Sequence, residues 1–174
     1  MRISSIPPRE RLLIRQASND DLDAVTTLAW AAAERWGADK MPLDRSLENY
    51  LGRLIGAQDA VFQFWIAEDG HGRIVAWEAL NPCSADPVVR NLVGELTICL
   101  GEQRRAIAKY LLTHAVRHAQ RTHLQHVVAR PHSNDNVLID SLDEMAFHRV
   151  GVWPASLKFR GWPECIEYVH VVPP

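Results

Sequence analysis

Two stretches near the start of the chain repeat apolar residues at helical spacing. The first predicts a helix over about residues 19–36, because apolar positions recur three and four residues apart. Ser18 and Asp21 flank its first turn as a variant of the capping box. Pro42 suits the first turn of a second helix, whose apolar stripe ends before Gly56. Two helices therefore precede the main sheet.

The middle of the chain alternates strand patterns with one long helix. LLIRQAS predicts a first strand, and VFQFWIAE and RIVAWEAL predict a hairpin around the turn DGHG. GELTICL, which begins at Gly94, predicts another strand. A helix from about Gln103 to Thr122 follows without a spacer, with one apolar side that would pack on the sheet.

The last part of the chain predicts three more strands and a short helix. HVVARP, HRVGVWP and ECIEYVHVV are the strands, and SNDNVLIDSLDEMAF is the helix. The order is β-α-α-β-β-β-α-β-α-β-β, with no internal repeat or linker. We therefore expect a single α/β (α+β) domain over residues 1–174, with residues 1–11 as a leader that can be mobile.

Composition narrows the class of protein. The 174 residues carry a net charge of −2 and are 47% hydrophobic, which is typical of one globular domain. No basic stripe or membrane-length apolar run is present, so we expect neither nucleic acid nor membrane as a partner. Cys83, Cys99 and Cys165 are odd in number and far apart, which argues against a disulfide framework and for a reducing cytoplasm.

The junction between GELTICL and the long helix is the strongest candidate for chemistry. The first N–H groups of a helix and its dipole can bind an anion. Small side chains at Ala106 and Ala108 would let a phosphate approach, and Arg104 and Arg105 would add positive charge. Small residues in a first turn are also common for packing alone, so composition leaves both interpretations open.

The segment QRRAIAKYLL and the order of elements resemble the GNAT superfamily of acyl-CoA-dependent N-acetyltransferases. Gln103, Ala106 and Ala108 fall on the defined positions of the family pattern Q/R-x-x-G-x-G/A. GELTICL and the tail AFHRVGVWPASLKFRGWPE resemble the phosphinothricin acetyltransferase-like subgroup. The resemblance implies a mixed, mostly antiparallel sheet flanked by helices. It also implies acetyl-CoA as cofactor and transfer of acetyl to a primary amine of a small amino-acid-like molecule.

The sequence departs from the family pattern at three residues. Ala106 stands at the central glycine, where its methyl group would push the cofactor back or be absorbed by a small backbone shift. Cys99 stands where the subgroup commonly has Tyr. Leu142 falls near the Tyr that protonates the leaving thiolate in many members, so that acid is absent. The loop GEQ is also shorter than usual.

The resemblance assigns the proton-transfer and cofactor roles. Glu95 would be the general base, through a water, unless it only caps a sheet edge or pairs with an arginine. A backbone N–H at Ile98 or Cys99 would polarise the thioester carbonyl. The predicted cofactor contacts are Ile98, Leu100, Gln103, Arg104, Arg105, Ala106, Ile107 and Ala108, with Asn134 or Asn136 near the pantetheine arm.

Strand alternation suggests which residues face a substrate cleft. Glu95, Thr97 and Cys99 would share one face of a straight strand. A nucleophilic role for Cys99 has little support, because no His or Asp accompanies it at a suitable spacing. An acceptor pocket could draw on the tryptophans of the helices and hairpin, most of which should be core, and on two cations of the tail: Trp30, Trp36, Trp65, Trp77, Lys158 and Arg160.

Two other interpretations were weighed. His114 and His118 lie four residues apart on the long helix, but no third ligand follows at a recognisable spacing, so we expect no metal site.

The rival hypothesis for the function is a protein with this fold that has lost turnover and acts as a ligand-binding or protein-interaction module. A homodimer through exposed strand edges stays open.

Overall fold

The computed structural model describes residues 12–35, 45–90, 92–102, 104–153 and 164–173. Its strands are β1 (Leu13–Gln16), β2 (Phe64–Glu68), β3 (Ile74–Pro82), β4 (Val93–Leu100), β5 (His126–Ala129), β6 (His148–Trp153) and β7 (Cys165–Val171). Its helices are α1 (Leu22–Arg35), α2 (Arg45–Gly56), α3 (Pro87–Arg90), α4 (Arg105–Arg121) and α5 (Asn136–Glu144). No helix of the described ranges is both long and apolar enough to cross a membrane.

The seven strands form one sheet in the order β1-β2-β3-β4-β5-β7-β6. All neighbouring strands are antiparallel except β4 and β5, which are parallel. The predicted hairpin is β2 and β3, whose turn includes Gly72 at a φ of 75°. The mixed, mostly antiparallel sheet flanked by helices is therefore confirmed.

Helices cover both faces of this sheet. Apolar residues of α4 and α5, including Ile107, Leu111 and Leu142, pack against one face. Residues of α1 and α2, including Val25 and Leu51, pack against the other. Side chains of a strand alternate between the two faces, so successive residues of β3 and β4 enter different cores.

The beginning of α1 shows why the first helix starts where the sequence predicts. A short 3₁₀ turn over Asn19–Asp21 leads into it. The Ser18 N–H donates to Asp21 Oδ2 at 2.8 Å, and the Arg15 guanidinium donates to both carboxylate oxygens of Asp21, each at 2.8 Å. Arg15, followed by the Ser18 hydrogen bonds, lowers the pKa of Asp21 to about 2.

Two helices end at a left-handed residue that is not glycine. His123 follows α4 with a φ of 60°, and Ala146 follows α5 with a φ of 57°. The Leu124 N–H donates to Ala119 O at 3.0 Å, and the Phe147 N–H donates to Leu142 O at 3.2 Å, as in a Schellman motif. Glycine is the usual residue there because a Cβ strains this conformation.

Candidate functional site

The two parallel strands at the centre of the sheet separate partway along β4. Their pairing runs from Val93↔His126 to Leu96↔Ala129 and then stops. β5 ends at Ala129, two residues before Pro131, whereas β4 continues to Leu100. In the described part of the chain, the segment 97–100 of β4 has no strand partner on this edge, which leaves a gap in the sheet.

The register of β3 and β4 tells which backbone groups face the gap. The Gly101 N–H donates to Val75 O at 2.8 Å, so these two residues form a hydrogen-bonded pair. Pairs alternate along an antiparallel ladder, and the Cys99 N–H therefore points to β3 at Trp77. The N–H groups of Ile98 and Leu100 point to the gap. Of the two donors considered from the sequence, Ile98 is the one the geometry leaves available.

The start of α4 lies just beyond β4 and offers a second set of free donors. Its N-cap, Arg104, has an extended backbone and makes no side-chain capping bond, and no acidic residue stands in the first turn. The N–H groups of Ile107 and Ala108 donate to Arg104 O. Those of Arg105 and Ala106 have no acceptor among the described residues. The positive end of the helix dipole is therefore open to an anion.

Side chains of the first turn contribute less than the sequence suggested. Ile107 and Ala108 are fully buried in the core, so only their backbones are near the helix end. Arg104 pairs with Glu102 at 3.4 Å, and Arg105 pairs with Glu144 at 2.6 Å. Both charges expected to attract a phosphate are thus compensated by carboxylates. Ala106 is exposed, and Gln103 lies outside the described residues.

Arg35, at the end of α1, also reaches this region. Its guanidinium donates to Leu100 O, which faces the gap, and to Gly101 O at 3.3 Å. Because Arg35 is itself exposed, this contact can open without disturbing the core. Any ligand that uses the Leu100 carbonyl must displace it.

A cavity of about 380 Å³ lies on the α1/α2 side of the sheet. Glu95 and Thr97 of β4 form part of its lining, which also includes Tyr50, Leu54, Ala57, Phe62, Gln63, Asn81, Pro82 and Arg90. Burial, and then the neighbouring Glu95 carboxylate, raise the pKa of Tyr50. The cavity is large enough for a small amino-acid-like molecule.

Glu95 is held by an arginine that the sequence analysis did not single out. Arg130 Nη1 donates to Glu95 Oε1, and Arg130 Nε donates to Glu167 Oε2 at 2.7 Å. The alternative that Glu95 pairs with an arginine is therefore observed. It does not remove Glu95 from the cavity, since 37% of its side chain stays exposed.

Cys99 does not reach the cavity. It shares a face with Glu95 and Thr97, but it is 2% exposed and its thiol donates to Leu28 O at 3.6 Å. Burial raises the pKa of this thiol, which removes the thiolate that a nucleophile requires. The expectation that Cys99 faces the cleft is wrong because α1 packs over this end of β4.

The tryptophans line no described part of the cavity. Trp77 is 5% exposed and stacks on Phe64 at 5.0 Å between ring centroids, so its expected contact with substrate is wrong. Trp65 is buried on the opposite face. Trp30 is half-buried on α1. Trp36, Lys158 and Arg160 lie outside the described residues.

Helix α5 begins near the gap. The remaining residues singled out from the sequence lie in this helix or just before it. Asn134 and Asn136 are both exposed at its start, where Asp135 accepts a hydrogen bond from the Leu138 N–H at 3.2 Å. Leu142 is fully buried in the core. The neighbouring Ser141 hydroxyl donates to Val137 O at 2.7 Å, so neither residue can act as the missing acid.

The two histidines of α4 are engaged separately. His114 Nδ1 contacts Glu78 Oε1, and the His118 Nε2–H donates to Val61 O at 2.8 Å. The Trp65 ring meets both imidazoles edge-on. Within the described ranges, no group of three or more His, Cys, Asp or Glu side chains could hold a metal ion.

Three residues of this region were missed by sequence reasoning. Tyr50 lies on the second helix and lines the cavity, and Arg130 lies 35 residues from its partner Glu95. Glu78 is the one charged residue of the apolar strand β3, at a position that faces the core. That signal could have marked Glu78 as buried and paired.

No family model and no curated protein matches this sequence. Solved structures do match its fold. A protein provisionally assigned as a phosphinothricin N-acetyltransferase is 22% identical, with a TM-score of 0.78 over 94% of this chain and 100% of its own. The ribosomal-protein-alanine N-acetyltransferase of Brucella melitensis is 21% identical, with a TM-score of 0.74 over 91% and 99%.

A third structure is a GNAT superfamily phosphinothricin acetyltransferase from Sinorhizobium meliloti, in complex with AcCoA. It is 15% identical, with a TM-score of 0.74 over 92% of this chain and 88% of its own. The chain therefore has the fold of GNAT N-acetyltransferases, as the sequence resemblance predicts.

Proposed function

We propose that this protein is an acetyl-CoA-dependent N-acetyltransferase that acts on the primary amine of a small amino-acid-like molecule. One observation carries the proposal. The unpaired end of β4 lies between the open N-terminus of α4 and the cavity lined by Glu95 and Thr97. The free backbone groups of β4 thereby connect a place that can bind an anion, the start of α4, with the cavity that contains the Glu95 carboxylate.

The residues present fit acetyl-CoA through backbone groups more than through side chains. The N–H groups of Arg105 and Ala106 would hold the pyrophosphate, and the free edge of β4 at Ile98 and Leu100 would hold the pantetheine arm. Asn136 is exposed near the same end of the sheet. Bound acetyl-CoA supplies an acetyl thioester next to the cavity. Arg35 must leave the Leu100 carbonyl for this fit.

Glu95 is the residue best suited to accept a proton. An amine that becomes an amide loses one proton, and a carboxylate at the cavity wall can take it directly or through one water. Arg130 restrains that carboxylate by an ion pair, which limits its rotamers. The Ile98 N–H would donate to the reacting carbonyl oxygen, where negative charge develops.

The chemical class of the acceptor follows from the cavity. Its volume of about 380 Å³ favours a small molecule over a folded protein surface. Arg90 of the lining pairs with Asp59 at 2.8 Å. An acceptor carboxylate that bound Arg90 would have to share its guanidinium with Asp59. Three cysteines that form no disulfide with one another fit a reducing cytoplasm.

Acetyl transfer to a panel of amino acids and related amines, followed by release of free CoA thiol, tests the proposal. We expect turnover with at least one acceptor, and loss of turnover in Glu95→Gln. Glu34→Gln, at an exposed position of α1, is the matched control and should keep wild-type activity. Turnover that survives in Glu95→Gln would refute the role of Glu95.

A second function is favoured by other observations of the same site. Arg35 occupies the Leu100 carbonyl, both arginines at the start of α4 are compensated, and Ala106 replaces a glycine. These features suit a ligand-binding or protein-interaction module without turnover. Absence of both acetyl-CoA binding and transfer over the whole panel would favour this module.

A further inference from the structure

A second and larger cavity lies on the opposite face of the sheet from Glu95. It has a volume of about 760 Å³ and runs along the exposed side of α4. Tyr110, His114, Arg117 and Arg121 of α4 line it, together with His123, which directly follows that helix. Ile14 and Pro173 provide apolar lining. We call this cavity the α4 groove.

The described lining of the α4 groove includes two arginines and two histidines. No carboxylate lines its described part. The guanidinium groups of Arg117 and Arg121 form no ion pair or hydrogen bond with the described residues. Those of Arg104 and Arg105, at the start of the helix, are paired with carboxylates. Two unneutralised guanidinium groups one helical turn apart make a suitable pair of contacts for one anion.

Fold stability does not account for these groups. Arg121 lies in the last turn, where a cation interacts favourably with the helix dipole. Arg117 lies more than a turn from the end, where that effect has faded. His123 keeps a strained left-handed backbone at a position that glycine would fill without strain. A ligand in the groove would give Arg117 and His123 a role.

His114 connects the α4 groove to the core. A quarter of its side chain is exposed, while its Nδ1 contacts the fully buried Glu78. Glu78 Oε2 has no hydrogen-bond partner among the described residues. The buried carboxylate therefore fixes the imidazole ring by one nitrogen, and the remainder of the ring is held rigidly at the groove.

We propose that the α4 groove is a binding site for a small organic anion that carries a phosphate or several carboxylates. Arg117 and Arg121 bind the anionic group, and His114 and His123 border it. Tyr110, which is 46% exposed, packs against the apolar part of the ligand. This site is separate from the cavity that Glu95 lines, because the two share no lining residue and lie on opposite faces of the sheet.

Titration of the whole protein with inorganic phosphate and, separately, with citrate tests the site. Backbone amide NMR shifts report where each anion binds, in a buffer free of other multivalent anions. We expect saturable shifts around Arg117–His123, with an affinity at least tenfold weaker in the double variant Arg117→Gln, Arg121→Gln. A response to only one of the two anions identifies the preferred group.

Two comparisons make the result decisive. Arg149→Gln removes the same charge from an exposed position of β6 and should leave the affinity unchanged. Phosphate at the start of α4 would shift Arg105 and Ala106 instead and would survive the double substitution. That outcome, or equal affinity in the wild type and the double variant, would overturn the proposal. Neither measurement requires acetyl-CoA, so failure here is distinct from failure of the proposed enzyme.

Discussion

Two glutamates on adjacent central strands, Glu78 and Glu95, have opposite environments. Glu95 of β4 lines a cavity, is 37% exposed and is held by a guanidinium. Glu78 of β3 enters the other face, is fully buried and contacts an imidazole. Burial raises the pKa of Glu78 to about 7, against a smaller opposing effect of His114. The alternation of a strand therefore separates a carboxylate available to substrate from one that retains a proton.

A carboxylate that has a basic partner is therefore not catalytic for that reason alone. Access decides its role. Glu95 is open to a molecule in the cavity, whereas Glu78 is fully buried and its one hydrogen bond among the described residues is to His114.

The largest effect should come from Glu95→Gln on catalysis. We expect kcat/KM to fall by roughly 10²–10⁴-fold, because an amide cannot accept the amine proton. Glu78→Gln should stay within about threefold of the wild type, since it lies on the other face. Steady-state kinetics on both variants measure the contrast, and similar losses in the two would contradict the separation of roles.

The buried glutamate should instead control stability as a function of pH. The unfolded chain releases the Glu78 proton near its ordinary pKa of 4.5, whereas the native protein retains it to about 7. The native state therefore binds more protons between these values, and stability should fall with rising pH by up to about 3 kcal/mol.

Urea denaturation from pH 4.5 to 8 measures this slope. Glu78→Gln should flatten it, because the amide carries no titrating proton. Asp21 works in the opposite direction, since its pKa is lowered to about 2 and its contribution is lost only as the pH falls through about 4 toward 2. An unchanged slope in Glu78→Gln would contradict the buried, protonated state.

Arg130 should act as a positioning residue for Glu95. Arg130→Gln removes the tether while leaving the carboxylate, and we expect kcat to fall about tenfold with little change in the KM for acetyl-CoA. Arg130→Lys should restore part of the loss, because it keeps the charge but lacks the two separate N–H groups that reach Glu95 and Glu167. If the acetyl-CoA KM rises and kcat does not fall, Arg130 serves the cofactor site instead.

The smallest effect concerns the two strained helix ends. Ala146→Gly should stabilise the protein by about 0.5–1 kcal/mol, because glycine adopts the left-handed backbone without a Cβ clash. Thermal unfolding measures the gain, and Ala33→Gly within α1 is the control, which should destabilise. His123→Gly should show a similar gain while weakening anion binding in the α4 groove. Unchanged anion binding would remove His123 from that site.

Local pattern was sufficient to predict most elements of this fold. The order of helices and strands, the β2–β3 hairpin and the helix after β4 all followed from periodicity and turn residues, with ends within a few residues. The mixed, mostly antiparallel character of the sheet followed from the resemblance, whereas the identity of its parallel pair, β4 and β5, was not predicted. The predicted features depend on residues close together in sequence or on a topology that the family motif indicates, and both can be read from a single sequence.

The site was harder because its decisive contacts are distant in sequence. Cys99 alternates correctly with Glu95 and Thr97, yet α1 covers it, and no periodicity of β4 reveals that cover. Trp77 was considered for substrate and is core for the same reason. No sequence pattern marked Arg130, because its role depends on its contact with Glu95 on a different strand.

Binding of acetyl-CoA, measured by titration calorimetry, decides whether the gap beside β4 and the start of α4 form a cofactor site. The open end of β4 and the uncapped start of α4 predict one molecule bound per chain with micromolar affinity, about −8 kcal/mol. Ala106→Gly, which gives the site the glycine of the family pattern, should bind equally or slightly more tightly. No binding by the wild type, together with binding by Ala106→Gly, would contradict the account and mean that this site is closed to the cofactor.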